Sequence, residues 1–141
     1  MTVPLDMNER IIRFCEARPE IVAVYVFGSR TRGQAKETSD IDLAIFVDPD
    51  KKVDEFELKR DLMVSLSRVL QKEIHPVILN HAGELLAGQV FKYGKCLYNP
   101  KPVLLSRFRA AQISKIADFA YLRNIMEKGF TQKVMDVGRD R

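Results

Sequence analysis

An α+β domain carrying a C-terminal helical arm is what the 141-residue sequence predicts, on three observations. Short β-branched and aromatic runs at residues 21–27, 41–47 and 73–79 alternate with segments whose apolar residues recur at helical spacing. Asn99-Pro100-Lys101-Pro102 then breaks the chain ahead of one long helical pattern. The length suits one domain built on one sheet and several helices, and 46% apolar with 30% charged residues describes a packed chain rather than a disordered one.

Each element has its own signal. Residues 6–18 place Ile11, Ile12, Phe14 and Cys15 at helical spacing, and Pro19 closes the run because the residue before a proline avoids helical dihedrals. IVAVYVF, residues 21–27, is a strand that stops at the glycine-bounded GSRTRG. IDLAIFV, residues 41–47, is a second strand ended by Asp48-Pro49-Asp50. From Val53 to Leu70 a helix is expected, with Phe56, Leu58, Leu62, Met63, Leu66, Val69 and Leu70 as its apolar positions. EIHPVIL, residues 73–79, reads as a third strand, and Pro76 favours an edge or a bend because it lacks a backbone donor. A short helix from His81 to Tyr93 stops at Gly94, before the extended piece KCLY. The long pattern runs from Leu104 to Lys128 with Gly129 as its cap, leaving Thr131–Arg141 as a loose tail. The organisation expected is a domain over residues 1–100 and a C-terminal helix and tail over 101–141.

Composition removes some classes of function. Met1–Asn8 has no cationic start followed by an apolar stretch, and no run approaches the roughly 20 apolar residues that span a bilayer, so a cytoplasmic protein without a membrane partner is expected. Cys15 and Cys96 match no metal or redox spacing and read as two buried thiols. The net charge of +4 is modest. Its basic excess lies towards the C-terminus, where a solvated helix face accounts for it as well as an acidic partner does, and no direct nucleic-acid contact is expected.

The chemistry concentrates in VFGSRTRGQAKETSDIDLAIF, residues 26–46. A strand runs into Gly28-Ser29, where glycine permits a close turn and the following amides can face a phosphate. Arg30 and Arg32 offer guanidinium forks suited to phosphate oxygens, and the Ser29 hydroxyl adds a donor. Asp40 and Asp42 are one residue apart at the start of the second strand, and the period of two projects both carboxylates from one face while Ile41, Leu43, Ile45 and Val47 take the other. Two such charges repel unless a cation lies between them, and hard oxygen ligands suit Mg²⁺ with bound phosphates. Ser39 stands directly before the pair, so one short loop joins a phosphate site to a metal site. Each element alone is weak; their combination within one strand–turn–strand unit is not.

GS followed ten residues later by DxD resembles the signature of the polymerase-β nucleotidyltransferases, and the fuller stretch GSRTRGQAKETSDIDLAIF is similar to the minimal nucleotidyltransferase (MNT) family, over roughly residues 10–98. The resemblance implies a polymerase-β-like fold with a mixed sheet flanked by helices. It implies that Gly28 and Ser29, with Arg30 and Ser39 beside them, hold the triphosphate of ATP, and that Asp40 and Asp42 bind Mg²⁺, or Mn²⁺, and carry catalysis. It also implies a partner: in HEPN/MNT toxin–antitoxin pairs the family is the antitoxin and transfers AMP to a tyrosine of a HEPN-domain toxin, an RNase.

The sequence departs from the family at one position. The third carboxylate lies in a stretch reading roughly VDLVxLN, and here that stretch is Ile74-His75-Pro76-Val77-Ile78-Leu79-Asn80, with His75 in the aspartate's place. A neutral imidazole suits Zn²⁺ or Mn²⁺ better than Mg²⁺, and Glu73, two residues earlier on the same strand face, is the other candidate ligand. Two readings therefore stand side by side: a protein adenylyltransferase, and a catalytically weak antitoxin that binds nucleotide and neutralises its partner by complex formation. AMP transfer to a small molecule ranks last, because 141 residues leave little room for a substrate domain. The C-terminal helix has three open uses: packing on its own domain, joining two copies as a homodimer, or gripping the partner. Tyr25 and Phe27 read as core, Asp48 and Asp50 as turn formers, and His81 as an exposed helix-start residue.

Overall fold

The structure, a computed structural model, describes residues 6–28 and 40–139, with side-chain detail through residue 129. In chain order it comprises α1 (Met7–Glu16), β1 (Ile21–Phe27), β2 (Ile41–Val47), α2 (Glu55–Leu70), β3 (Ile74–Ile78), a 3₁₀ turn at Leu79–His81, α3 (Glu84–Tyr93), β4 (Lys95–Tyr98) and α4 (Pro102–Arg139). The sheet order is β3-β2-β1-β4. β1 pairs antiparallel with β2 and with β4, whereas β2 and β3 run parallel, so the sheet is mixed.

Alternation along the strands divides the core into two layers. Ile41, Leu43, Ile45 and Val47 of β2 join Ile74 and Ile78 of β3 against Ile11 and Cys15 of α1 and Leu58, Leu62 and Leu66 of α2. The opposite face carries Ala44 and Phe46 with Tyr25, packed on Ala87 and Val90 of α3 and Leu105 of α4. A shift of register between Ile21 and Ala23 places Val22 and Ala23 in the second layer together, which the period of two alone does not give. Tyr25 and Phe27 belong to this layer, as the sequence predicts, with Tyr25 edge-on to Phe91 at 5.8 Å.

Local chemistry sets the boundaries. Asp6 caps α1 and Asp54 caps α2, their side chains accepting from the Glu9 and Glu57 amides at 2.8 and 3.1 Å. Pro76 lies on edge strand β3, where its missing N–H interrupts no second ladder. Gly94 does stop α3, and a side chain there would press on the carbonyls of Val90 and Val26.

Four expectations are corrected. The helix predicted from His81 begins at Glu84 instead, because Gly83 at φ 81° interrupts it after a 3₁₀ turn. The last helix starts at Pro102, a residue suited to a first helical position, and continues through Gly129 to Arg139, so Gly129 is no cap and Thr131–Arg139 is helical. Phe56, Met63 and Val69 of α2 face outward, leaving Leu58, Leu62 and Leu66 to make its buried stripe. Cys15 is buried but Cys96 is exposed, since β4 lies at the edge of the sheet.

Candidate active site

The open end of β2 is where the second face of the sheet changes character. Ala44 and Phe46 are buried on that face, and two residues nearer the strand's start the same face presents Asp42. Asp40, directly before β2, is half exposed. On the parallel neighbour β3 the same alternation buries Ile74, Pro76 and Ile78 and turns His75 outward. Register then brings the two strands' polar residues together: His75 is the Cα partner of Asp42, and Ile41 N–H donates to the Glu73 carbonyl at 2.9 Å. His75 Nε2 lies 3.3 Å from Asp40 Oδ2 and 3.4 Å from Glu73 Oε1.

Asp40, Glu73 and His75 each offer one donor atom within 4.8 Å of the others, an arrangement open to a divalent cation. Asp42 stands beside this group, its carboxylate lying against Gly28. Gly28 adopts φ 80°, and a Cβ there would overlap Asp42 Oδ2, so glycine is required both by its dihedral and by the space. Phe27 is the register partner of Asp42, which brings the adjoining Gly28 against the carboxylate. Burial pushes the Asp42 carboxyl up from 3.8; His75 pulls it down and the Asp40 charge pushes it further up. A cation would reverse the cost of ionising this carboxylate, so the donors present fit a divalent cation.

Of the residues singled out in the sequence, the structure thus groups Gly28, Asp40, Asp42, Glu73 and His75. Ser29, Arg30, Arg32 and Ser39 lie outside the described residues. Asp48 and Asp50 are turn formers: the Asp48 carboxylate accepts from the Asp50 amide at 3.0 Å and from Lys101 Nζ at 3.3 Å. His81 is exposed and pairs with Glu55 at 3.0 Å.

Asn80 carries a supporting role that sequence reasoning does not assign. Its amide donates to the Val47 carbonyl at 2.9 Å and accepts from the Val47 amide at 3.0 Å, closing the far end of β2 beyond the last pair with β3. An asparagine directly after a strand is the signal, but side-chain pairing with a strand so far away in sequence has no local signature.

Comparison with known proteins bears on the fold and the family. No curated protein matches the chain significantly. Among solved structures, a chain of a toxin–antitoxin complex with AMP-PNP is 24% identical, covering 88% of this chain and 98% of that one at a TM-score of 0.71. A chain from a tri-AMPylated Shewanella oneidensis HEPN toxin in complex with MNT antitoxin is 22% identical, covering 89% and 96% at 0.66. A candidate minimal nucleotidyltransferase is 27% identical, covering 67% and 98% at 0.51. These likenesses fit the polymerase-β-like fold. In sequence, residues 9–102 match the family described as Polymerase beta, Nucleotidyltransferase. That span runs from α1 to the start of α4 and contains every residue of the carboxylate–imidazole group, and the chain belongs to the Polymerase beta, Nucleotidyltransferase family.

Proposed function

We propose that the protein is the antitoxin of a HEPN/MNT pair and transfers AMP from ATP to a tyrosine of its HEPN-domain partner. The observation that carries this reading is the placement of Asp40 and Asp42 at the open end of β2, with Gly28 packed on Asp42 and His75 in register beside it. The solved structures with similar folds support the setting, since one includes AMP-PNP and another an AMPylated HEPN toxin with its MNT antitoxin.

In the reaction the tyrosine oxygen attacks the α-phosphorus of ATP, the bond to the β-phosphate oxygen breaks, pyrophosphate leaves and the phenol proton passes to water. A divalent cation, Mg²⁺ or Mn²⁺, supplies charge neutralisation on the phosphates and lowers the pKa of the attacking oxygen when bound. Asp40 and Asp42 hold it, Gly28 lets the turn approach the carboxylates, and Ser29, Arg30 and Ser39 contact the triphosphate in this reading.

A second reading, a weakly catalytic antitoxin that binds nucleotide and neutralises by complex formation, is favoured by one observation. His75 stands where the resemblance expects a carboxylate, and it contacts Asp40. Incubation with ATP, a divalent cation and the product of the adjacent gene, followed by intact mass measurement, separates the two. Gain of adenylate on the partner is expected, and replacing both Asp40 and Asp42 by Asn should reduce it by about 10²–10⁴-fold, the several kcal/mol that a Lewis-acid cation contributes. An unmodified partner that is nonetheless held in a stable, inactive complex would establish the second reading.

A further inference from the structure

His75 brings an imidazole nitrogen among the carboxylates at the open end of β2. Its Nε2 lies 3.3 Å from Asp40 Oδ2 and 3.4 Å from Glu73 Oε1. A tetrahedral cation with bonds of about 2.0–2.1 Å holds its ligands roughly 3.3 Å apart, so two edges of the triangle already have the right length. The remaining edge, between Asp40 and Glu73, lies within the 4.8 Å that encloses all three donors, and Glu73 is exposed, which leaves its carboxylate room to turn inward.

Two features distinguish this group from an incidental surface cluster. Its donors sit on or immediately beside paired strands, with Ile41 N–H bonded to the Glu73 carbonyl, so the backbone beneath them is held in place. Its composition is also mixed: two carboxylates, from Asp40 and Glu73, contact one imidazole, and Asp42 stands in register beside it. An imidazole nitrogen favours later first-row divalent ions, whereas Mg²⁺ favours hard oxygen donors.

We propose that Asp40, Glu73 and His75 form a transition-metal site that takes Zn²⁺ in preference to Mg²⁺. The site's use in catalysis rests on the transferase reading above, but its metal preference does not.

The test is a chelator-competition titration of the untagged full chain with Zn²⁺ and with Mg²⁺, in the absence of nucleotide. One equivalent of Zn²⁺ should bind at least about 100-fold more tightly than Mg²⁺. His75→Ala should weaken Zn²⁺ about 10-fold or more while leaving Mg²⁺ within about twofold, and Glu73→Gln should weaken Zn²⁺ as well. His81→Ala and Cys96→Ser, which remove the other imidazole and the exposed thiol, should change neither. Unaltered melting curves check that the variants fold, and if His75→Ala does not, the Glu73→Gln titration decides. Zn²⁺ binding no tighter than Mg²⁺, or unaffected by loss of His75 or Glu73 in folded protein, overturns the proposal and leaves His75 as a polar neighbour of two carboxylates. The adenylate assay answers separately: a Zn²⁺ site in a protein that modifies no partner would remove the transferase reading and leave this one standing.

Discussion

At Gly28 a dihedral and a neighbour impose the same residue. Adding a methyl group forces an L side chain into φ 80° and drives it into Asp42 Oδ2, so either the turn or the carboxylate must move. Gly28→Ala should therefore cost at least about 1 kcal/mol of stability and weaken Mg²⁺-ATP binding. Melting curves and calorimetry check this, and a variant that matches the parent in both would show that the turn relaxes freely. The sequence shows the glycine as a turn former, but its contact with Asp42 arises across a hairpin and has no spacing to reveal it. Asp40 and Asp42 are legible for the opposite reason, because a period of two is a local property of one strand. His75 falls between these cases. Its place two residues after Glu73 is plain in sequence, whereas its distance to Asp40 depends on the register of two parallel strands.

Among the elements, α4 shows where sequence patterning stops being informative. Its first turns complete the second layer: Leu105 is buried, and the Phe108 ring stacks on Phe46 at 4.2 Å and meets Phe91 edge-on at 6.2 Å. Farther along, Phe119, Tyr121, Leu122, Ile125 and Met126 are exposed. Both parts have apolar residues at helical spacing, so the sequence predicts the helix without telling which stretch is covered. The two parts should respond differently to truncation. A chain ending after Ile116 keeps the packed turns and should melt close to the parent, whereas one ending before Pro102 uncovers Phe46, Phe91 and Tyr25 and should aggregate. Light scattering during thermal melts reads the difference, and a soluble, cooperatively melting shorter chain would mean that α4 adds nothing to the core. The extent of α4 was legible only in part, since Gly129 resembles a cap but lies within a continuing helix.

For the molecule as a whole, the groups whose ionisation is coupled to folding lie at both ends of the pH scale. The Asp48 carboxyl is held below 3.8, first by the Asp50 amide and then by Lys101, so its contribution is present above that value and is lost as pH falls through its lowered pKa. Cys15 acts at the alkaline end. Burial pushes its thiol from 9.0 up to about 12, so the folded chain retains a proton that the unfolded chain releases, and stability falls as pH rises from about 9 towards 12. The steepest contribution from one such group is about 1.4 kcal/mol per pH unit. Denaturant melts between pH 8 and 10.5 should show this decline, and Cys15→Ala should make it shallower, though not flat, because burial also raises Tyr25 and Tyr98. Equal slopes in parent and variant would mean that Cys15 titrates normally in the folded chain.

The parallel pairing of β2 with β3 makes the cluster depend on two closures of the chain. Gly28 meets Asp42 through the β1–β2 pairing, whereas His75 and Glu73 reach the site through the crossover containing α2, which lays β3 alongside β2. Closing that crossover costs somewhat more chain entropy than closing the hairpin, about 0.6 kcal/mol for a doubling of loop length. The acidic pair therefore depends on one hairpin alone, whereas the full cluster depends on the hairpin and the crossover together. An ion held between the two strands would then act as a clasp, tying the crossover to the hairpin and stabilising both by the free energy of its binding.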